Sequence, residues 1–129
     1  MDNDKIYSIQ SLTLRTSGMR FTTEQEIVVK DGKAEISQYG IRYERGEDVR
    51  VLEKRAECDA DVVLKLCSDC GLLSWDGFNG PHPDDVLDGI MFRLTATVND
   101  GKKIYASGSE NFPHRYREFT EGLYRLLNE

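Results

Sequence analysis

Basic residues are the minority charge in this chain. There are 17 Lys plus Arg against 23 Asp plus Glu, a net charge of -6 and a pI near 5.0. Nucleic acids and anionic membranes are usually met by a basic surface, so a general binder of either is disfavoured. Cysteine is scarce and odd in number: Cys58, Cys67 and Cys70. Such a count does not build a disulfide scaffold and suits a reducing compartment. Long apolar runs are missing, and none approaches the ~18–20 residues needed to cross a bilayer. The opening Met1-Asp2-Asn3-Asp4-Lys5 lacks the basic-then-apolar order of a secretory signal. A cytoplasmic location is therefore expected, with no membrane contact. Walker and dinucleotide glycine motifs are missing too. With two His and no Ser/His/Asp, Cys/His/Asn or paired-carboxylate spacing, neither a catalytic triad nor a glycosidase site is indicated. No cofactor is expected.

What is present suits one domain spanning 1–129. Apolar residues make up 39%, with five Phe, six Tyr and one Trp, enough for a core at this length. The chain has no internal repeat and no low-complexity linker.

Ile6 to Thr16 is rich in β-formers, and Leu12 and Leu14 alternate with Thr13 and Arg15. The alternation slips between Ile9 and Leu12, as a bulge would make it. Glu26–Lys30 and Lys33–Tyr43 flank Asp31-Gly32, a strong hairpin signal. Gly46 marks a turn, and Val49–Lys54 reads as a short strand or a helix lead-in. A helix is expected from Asp59, with Val62, Val63, Leu66, Cys67 and Cys70 on one stripe and Gly71 just past its end. Trp75 to Gly89 reads as loop. Ile90 to Val98 alternates cleanly, turns at Asn99-Asp100-Gly101 and returns through Lys102–Ser107. Pro113, with Asn111 as cap, is expected to open a last helix carrying Tyr116, Phe119, Leu123 and Leu126-Leu127.

These elements predict an α+β fold. A mostly antiparallel sheet of about five strands, built from two hairpins, carries two helices on one face, in the order strands–helix–strands–helix.

Four groups of residues carry candidate chemistry. Cys67 and Cys70 have half a zinc spacing that Cys58 and His82 could complete, but both lie on an apolar helix stripe, where core packing is the preferred reading. Asp76, Asp84, Asp85 and Asp88, with no Lys or Arg between Trp75 and Gly89, carry four of the net negative charges. With Asn79 they offer oxygen ligands to a hard cation, though an acidic solvated loop is the simpler reading. His114-Arg115-Tyr116-Arg117 places cations at a helix start, against the dipole. Pairing of His114 with Glu118 and of Arg117 with Glu121 would offset this. The alternative is a small anionic ligand held by Ser109, Asn111, His114, Arg115 and Arg117, in the stretch from Gly108 to Arg117. Trp75 either closes the core over the helix end or, beside Phe78, anchors a partner.

The second half also resembles a pattern in small uncharacterised bacterial domains. Its residues are Trp75-Asp76-Gly77, Leu87-Asp88-Gly89, Asn99-Asp100-Gly101 and Gly108-Ser109-Glu110-Asn111-Phe112-Pro113. In those domains a Gly-x-Asn-x-aromatic-Pro segment joins the last strand to the last helix. Here Gly108, Phe112 and Pro113 keep that register, Glu110 stands where the Asn belongs, and Asn111 comes one place late. The resemblance implies a bacterial source and the same architecture over residues 60–127, and brings no activity with it.

The functional expectation is a non-catalytic module that binds a protein partner or forms a homodimer through the sheet face not covered by helices. That face is expected to carry Thr, Arg, Lys and Tyr. The alternative is the anionic-ligand or enzymatic site at the last helix.

Overall fold

The computed structural model describes residues 5–19, 21–81 and 89–128. Four strands form a meander: β1 (Ile9–Ser17), β2 (Thr22–Lys30), β3 (Lys33–Glu44) and β4 (Glu47–Asp59). Helix α1 (Ala60–Asp69) follows, then a 3-10 turn (Leu72–Trp75) and a two-residue strand β5 (Asn79–Gly80). The hairpin β6 (Met91–Val98) and β7 (Lys102–Ser109) leads to helix α2 (Tyr116–Leu127). All strands join one seven-stranded sheet in the order β4-β3-β2-β1-β6-β7-β5, antiparallel except for the β5–β7 pair.

The fold is thus α+β with a mostly antiparallel sheet and two helices, as expected. The strand number is corrected from about five to seven. The order also differs, since a 3-10 turn and the short parallel strand lie between α1 and the second hairpin. The largest addition is β4. Its 13 residues form an edge strand with side chains largely in solvent, so the alternation that reveals a half-buried strand is missing. The undecided reading of Val49–Lys54 resolves to strand.

Turn chemistry behaves as the residues demand. Asp31 and Gly32 have φ of 53° and 76°, and Asn99 and Asp100 have φ of 51° and 60°, the left-handed pairs that tight hairpins require. Gly71 ends α1 at φ 69°. Asp59 stands at the start of α1 without capping it through its side chain; its carboxylate accepts from Lys33 Nζ at 2.6 Å.

Alternation sends one set of strand side chains inward: Leu12, Leu14, Ile27, Ala34, Ile36, Phe92, Leu94, Ala96, Val98, Ile104 and Ala106. Val63 and Cys67 of α1 and Phe119, Leu123 and Leu127 of α2 complete the core with them. The helices meet closely, since a Cβ at Gly122 would lie 2.5 Å from Leu66 Cδ1. An aromatic group closes one end of this layer. Trp75 packs on Phe119 and Tyr116, and Phe92 touches Phe78, Phe112 and Tyr116, with ring centroids 4.8–6.1 Å apart. Full burial of a large side chain such as Trp75 or Phe119 contributes roughly 1.5–3 kcal/mol. Among the described residues, no buried side-chain polar atom lacks a partner, and no helix is long and apolar enough to cross a membrane.

Candidate functional site

The approach to α2 is held by packing rather than opened for a ligand. Trp75 is 1% exposed, and its Nε1 donates to the His114 carbonyl at 3.0 Å. It closes the core over the end of α1, so its reading as an exposed partner anchor is corrected. Phe78 is half-buried against Phe92. Asn111, expected as helix cap, instead donates from Nδ2 to the Pro81 carbonyl. The helix begins later than Pro113 suggested, at Tyr116, because Arg115 takes φ 65° and breaks the helical path just before it.

The candidate ligand residues of this stretch diverge. Arg115 Nη1 donates to the Asp69 carbonyl at the end of α1, and its Nε lies 4.0 Å from Glu118. Arg117 pairs with Glu121 at 3.0 Å, as expected, while Glu118 takes Arg115 rather than His114. Ser109 faces away from this helix start, into a groove described below. Glu110 sits at φ 53°, a region that Asn tolerates better than Glu, and bonds both ways to Ile90. Gly108 is required by the crossing of this segment, because a Cβ there would lie 2.1 Å from the Asn111 carbonyl oxygen.

The cysteines read as core. Cys67 is fully buried and Cys70 nearly so, and burial pushes the Cys67 thiol up to about 12. Cys70 is also raised, first by burial and then by Glu118. Among the described residues no cluster of His, Cys, Asp or Glu is arranged to hold a metal ion. His82, Asp84, Asp85 and Asp88 lie outside the described residues, so the acidic loop is represented here by Asp76 alone. Its Oδ1 accepts from the Tyr105 backbone N–H at 3.0 Å.

The open face of the sheet presents the richest arrangement. Register places Ser107, Arg93, Arg15 and Glu24 side by side across β7, β6, β1 and β2. The next row toward one end reads Ser109, Met91, Ser17 and Thr22. The β1–β6–β7 part of this face carries Arg15, Arg93 and Lys103 with Thr and Ser, and no carboxylate. The β2–β3–β4 part is mixed and acidic, with Glu24, Glu26, Glu35, Asp48, Glu57 and Asp59 beside Lys30, Lys33, Arg50 and Arg55. Arg50 reaches Glu24 at 3.2 Å and Glu26 at 3.7 Å and stacks 3.8 Å over the Tyr39 ring. Exposed apolar groups lie among them: Val28, Leu52, Met91 and Tyr105. A groove of about 580 Å³ opens where Arg15, Arg93, Ser17, Ser107 and Ser109 converge.

The expected Thr, Arg, Lys and Tyr do lie on this face, but its carboxylates Glu24, Glu26, Glu35, Asp48, Glu57 and Asp59 were not expected there. The juxtaposition of Arg15 with Arg93 was missed, because it depends on which strands pair. No protein-family model matches the chain, and no curated protein matches it in sequence.

Proposed function

We propose that the chain is a non-catalytic interaction module whose open sheet face is its binding surface, with a second copy of the chain as the occupant that the charges favour. The supporting observation is the division of that face into a basic β1–β6–β7 half and a mixed, acidic β2–β4 half. A two-fold axis lying in the interface and running along the strands sets each half against its opposite on the other copy.

Area supports the same reading. Six long strands spaced about 4.8 Å apart, each showing about eight residues at about 3.4 Å per residue, present about 800 Å². A standard specific interface buries about that much per partner. Val28, Leu52, Met91 and Tyr105, each between 46% and 52% exposed, supply apolar contact within the polar field. Three cysteines without a disulfide fit the cytoplasmic setting proposed with this function, and the resemblance to small bacterial domains supports a bacterial one. Fractionation of the source cells would check that location; recovery from the periplasm or medium would contradict it.

Sedimentation velocity at micromolar concentration tests the self-association. A dimer is expected for the native chain, weakening as salt rises. Leu52→Glu is expected to give a folded monomer. A native chain that stays monomeric at every salt concentration overturns the homodimer.

A further inference from the structure

We infer that the groove between Arg93 and the serines of β1 and β7 binds a phosphate group, as free phosphate or a small phosphomonoester. Like charges directly opposite on adjacent strands destabilise a sheet, and Arg15 and Arg93 are so placed. The carboxylates on this face compensate only one of them. Arg15 lies 3.2 Å from Asp48 and 3.8 Å from Glu24, while the other Glu24 oxygen takes Arg50. Arg93 is exposed and has no ion pair among the described residues. Its guanidinium is left facing a groove in place of a carboxylate.

The surroundings specify the missing anion. Ser107 stands directly beside Arg93 on β7, and Ser17 and Ser109 flank Met91 in the next row. All three serines line the same groove as Arg15 and Arg93. A guanidinium offers a rigid fork of donors that matches two phosphate oxygens, and hydroxyl donors match the remainder. A carboxylate has only two oxygens, both of which the fork would occupy. The site is separate from the start of α2, where Arg115 and Arg117 already have carboxylate or carbonyl partners.

This inference rests on the open face being the functional surface, but not on self-association. Sedimentation reads the one and a titration at dilute, monomeric concentration reads the other. NMR titration of the full chain with inorganic phosphate and with phenyl phosphate, using benzoate as the carboxylate control, tests it. Saturable shifts centred on the Arg93, Ser107 and Ser17 amides are expected, with a Kd of about 1 mM. Arg93→Gln should weaken binding about tenfold, the effect of removing a charge-assisted hydrogen bond. Ser107→Ala is expected to weaken it by a smaller factor and supplies an independent readout if Arg93→Gln does not fold. Arg117→Ala should leave binding unchanged. Absence of saturation, shifts centred on residues 113–118, or benzoate binding as tightly as phenyl phosphate overturns the inference.

Discussion

Arg15 on β1 and Asp48 on β4 meet at 3.2 Å, although two strands separate them. Three strand spacings alone amount to about 14 Å. Register sets the two residues further apart along the strands, since Arg15 aligns with Tyr39 through Glu24 whereas Asp48 pairs with Tyr43. The contact therefore runs diagonally over the open face, with the long Arg15 side chain reaching across β2 and β3. Replacing Asp48 by Asn is expected to change stability by no more than about 1 kcal/mol, since the pair is solvent-exposed. The same change releases Arg15 toward the groove and should tighten phosphate binding about threefold. Urea unfolding and the phosphate titration read these two effects separately.

Gly108→Ala should be costly for a residue of that size. The new Cβ would stand 2.1 Å from the Asn111 carbonyl oxygen and 2.8 Å from Phe92, so backbone has to move. A loss of roughly 1–3 kcal/mol is expected from such overpacking, measured by urea unfolding. Gly32→Ala serves as a comparison, because nothing lies within 4 Å of its Cβ position and only its φ of +76° opposes the substitution.

Alkaline stability should depend on Cys67. Burial raises this thiol from 9.0 to about 12, so the unfolded state loses the proton first as pH rises. Between those values the unfolded chain binds fewer protons than the folded one, and stability falls with increasing pH. Cys67→Ala lowers the baseline through the cavity it leaves, but its stability should fall less steeply over the same pH range. Thiol titration of the native protein should likewise find Cys67 unreactive until the chain unfolds.

On the acid side, the Lys33–Asp59 pair sets a second dependence. The hydrogen bond and charge of Lys33 hold the Asp59 carboxyl below its ordinary value, and the same partners raise Lys33. The stabilisation is present above the unfolded Asp value and is lost as pH falls through the folded one. It is lost again as pH rises through the raised Lys33 value. NMR titration of the Asp59 carboxyl should show the depressed value, and Lys33→Met should return it to the ordinary range.

If the open face both pairs with a second copy and holds phosphate, the two events compete for Arg15 and Arg93. Phosphate should then shift the sedimentation profile toward monomer in proportion to its own occupancy. Sodium chloride at equal ionic strength separates this effect from screening.

Local chemistry was legible where one segment determines it. Asp31-Gly32 and Asn99-Asp100-Gly101 mark their hairpins because only certain residues tolerate left-handed backbone. The stripe Val62, Val63, Leu66, Cys67 and Cys70 marks α1, although Val62 itself is exposed. Less visible was β4, whose Glu, Lys and Arg side chains face solvent at the sheet edge and follow no apolar rhythm. The start of α2 was misread because Pro113 is a good first helical residue in isolation. The Trp75 bond to the His114 carbonyl and the positive φ of Arg115 come from tertiary packing. The open-face groove was hidden for the same reason: neither β1 nor β6 alone states that its arginine lies opposite the other.

That seam between β1 and β6 also divides the chain in time. The meander β1–β4 and the hairpin β6–β7 each close over short loops, whereas β1 and β6 must find one another from distant parts of the sequence. Long-range pairing is the slow step in sheet formation, because loop-closure entropy is lost before contacts repay it. Docking of the two preformed sheets along this seam is thus expected to limit the folding rate. Substitutions at Leu12 or Leu94 should then alter the speed of folding, while changes confined to the β3–β4 edge should act mainly on unfolding.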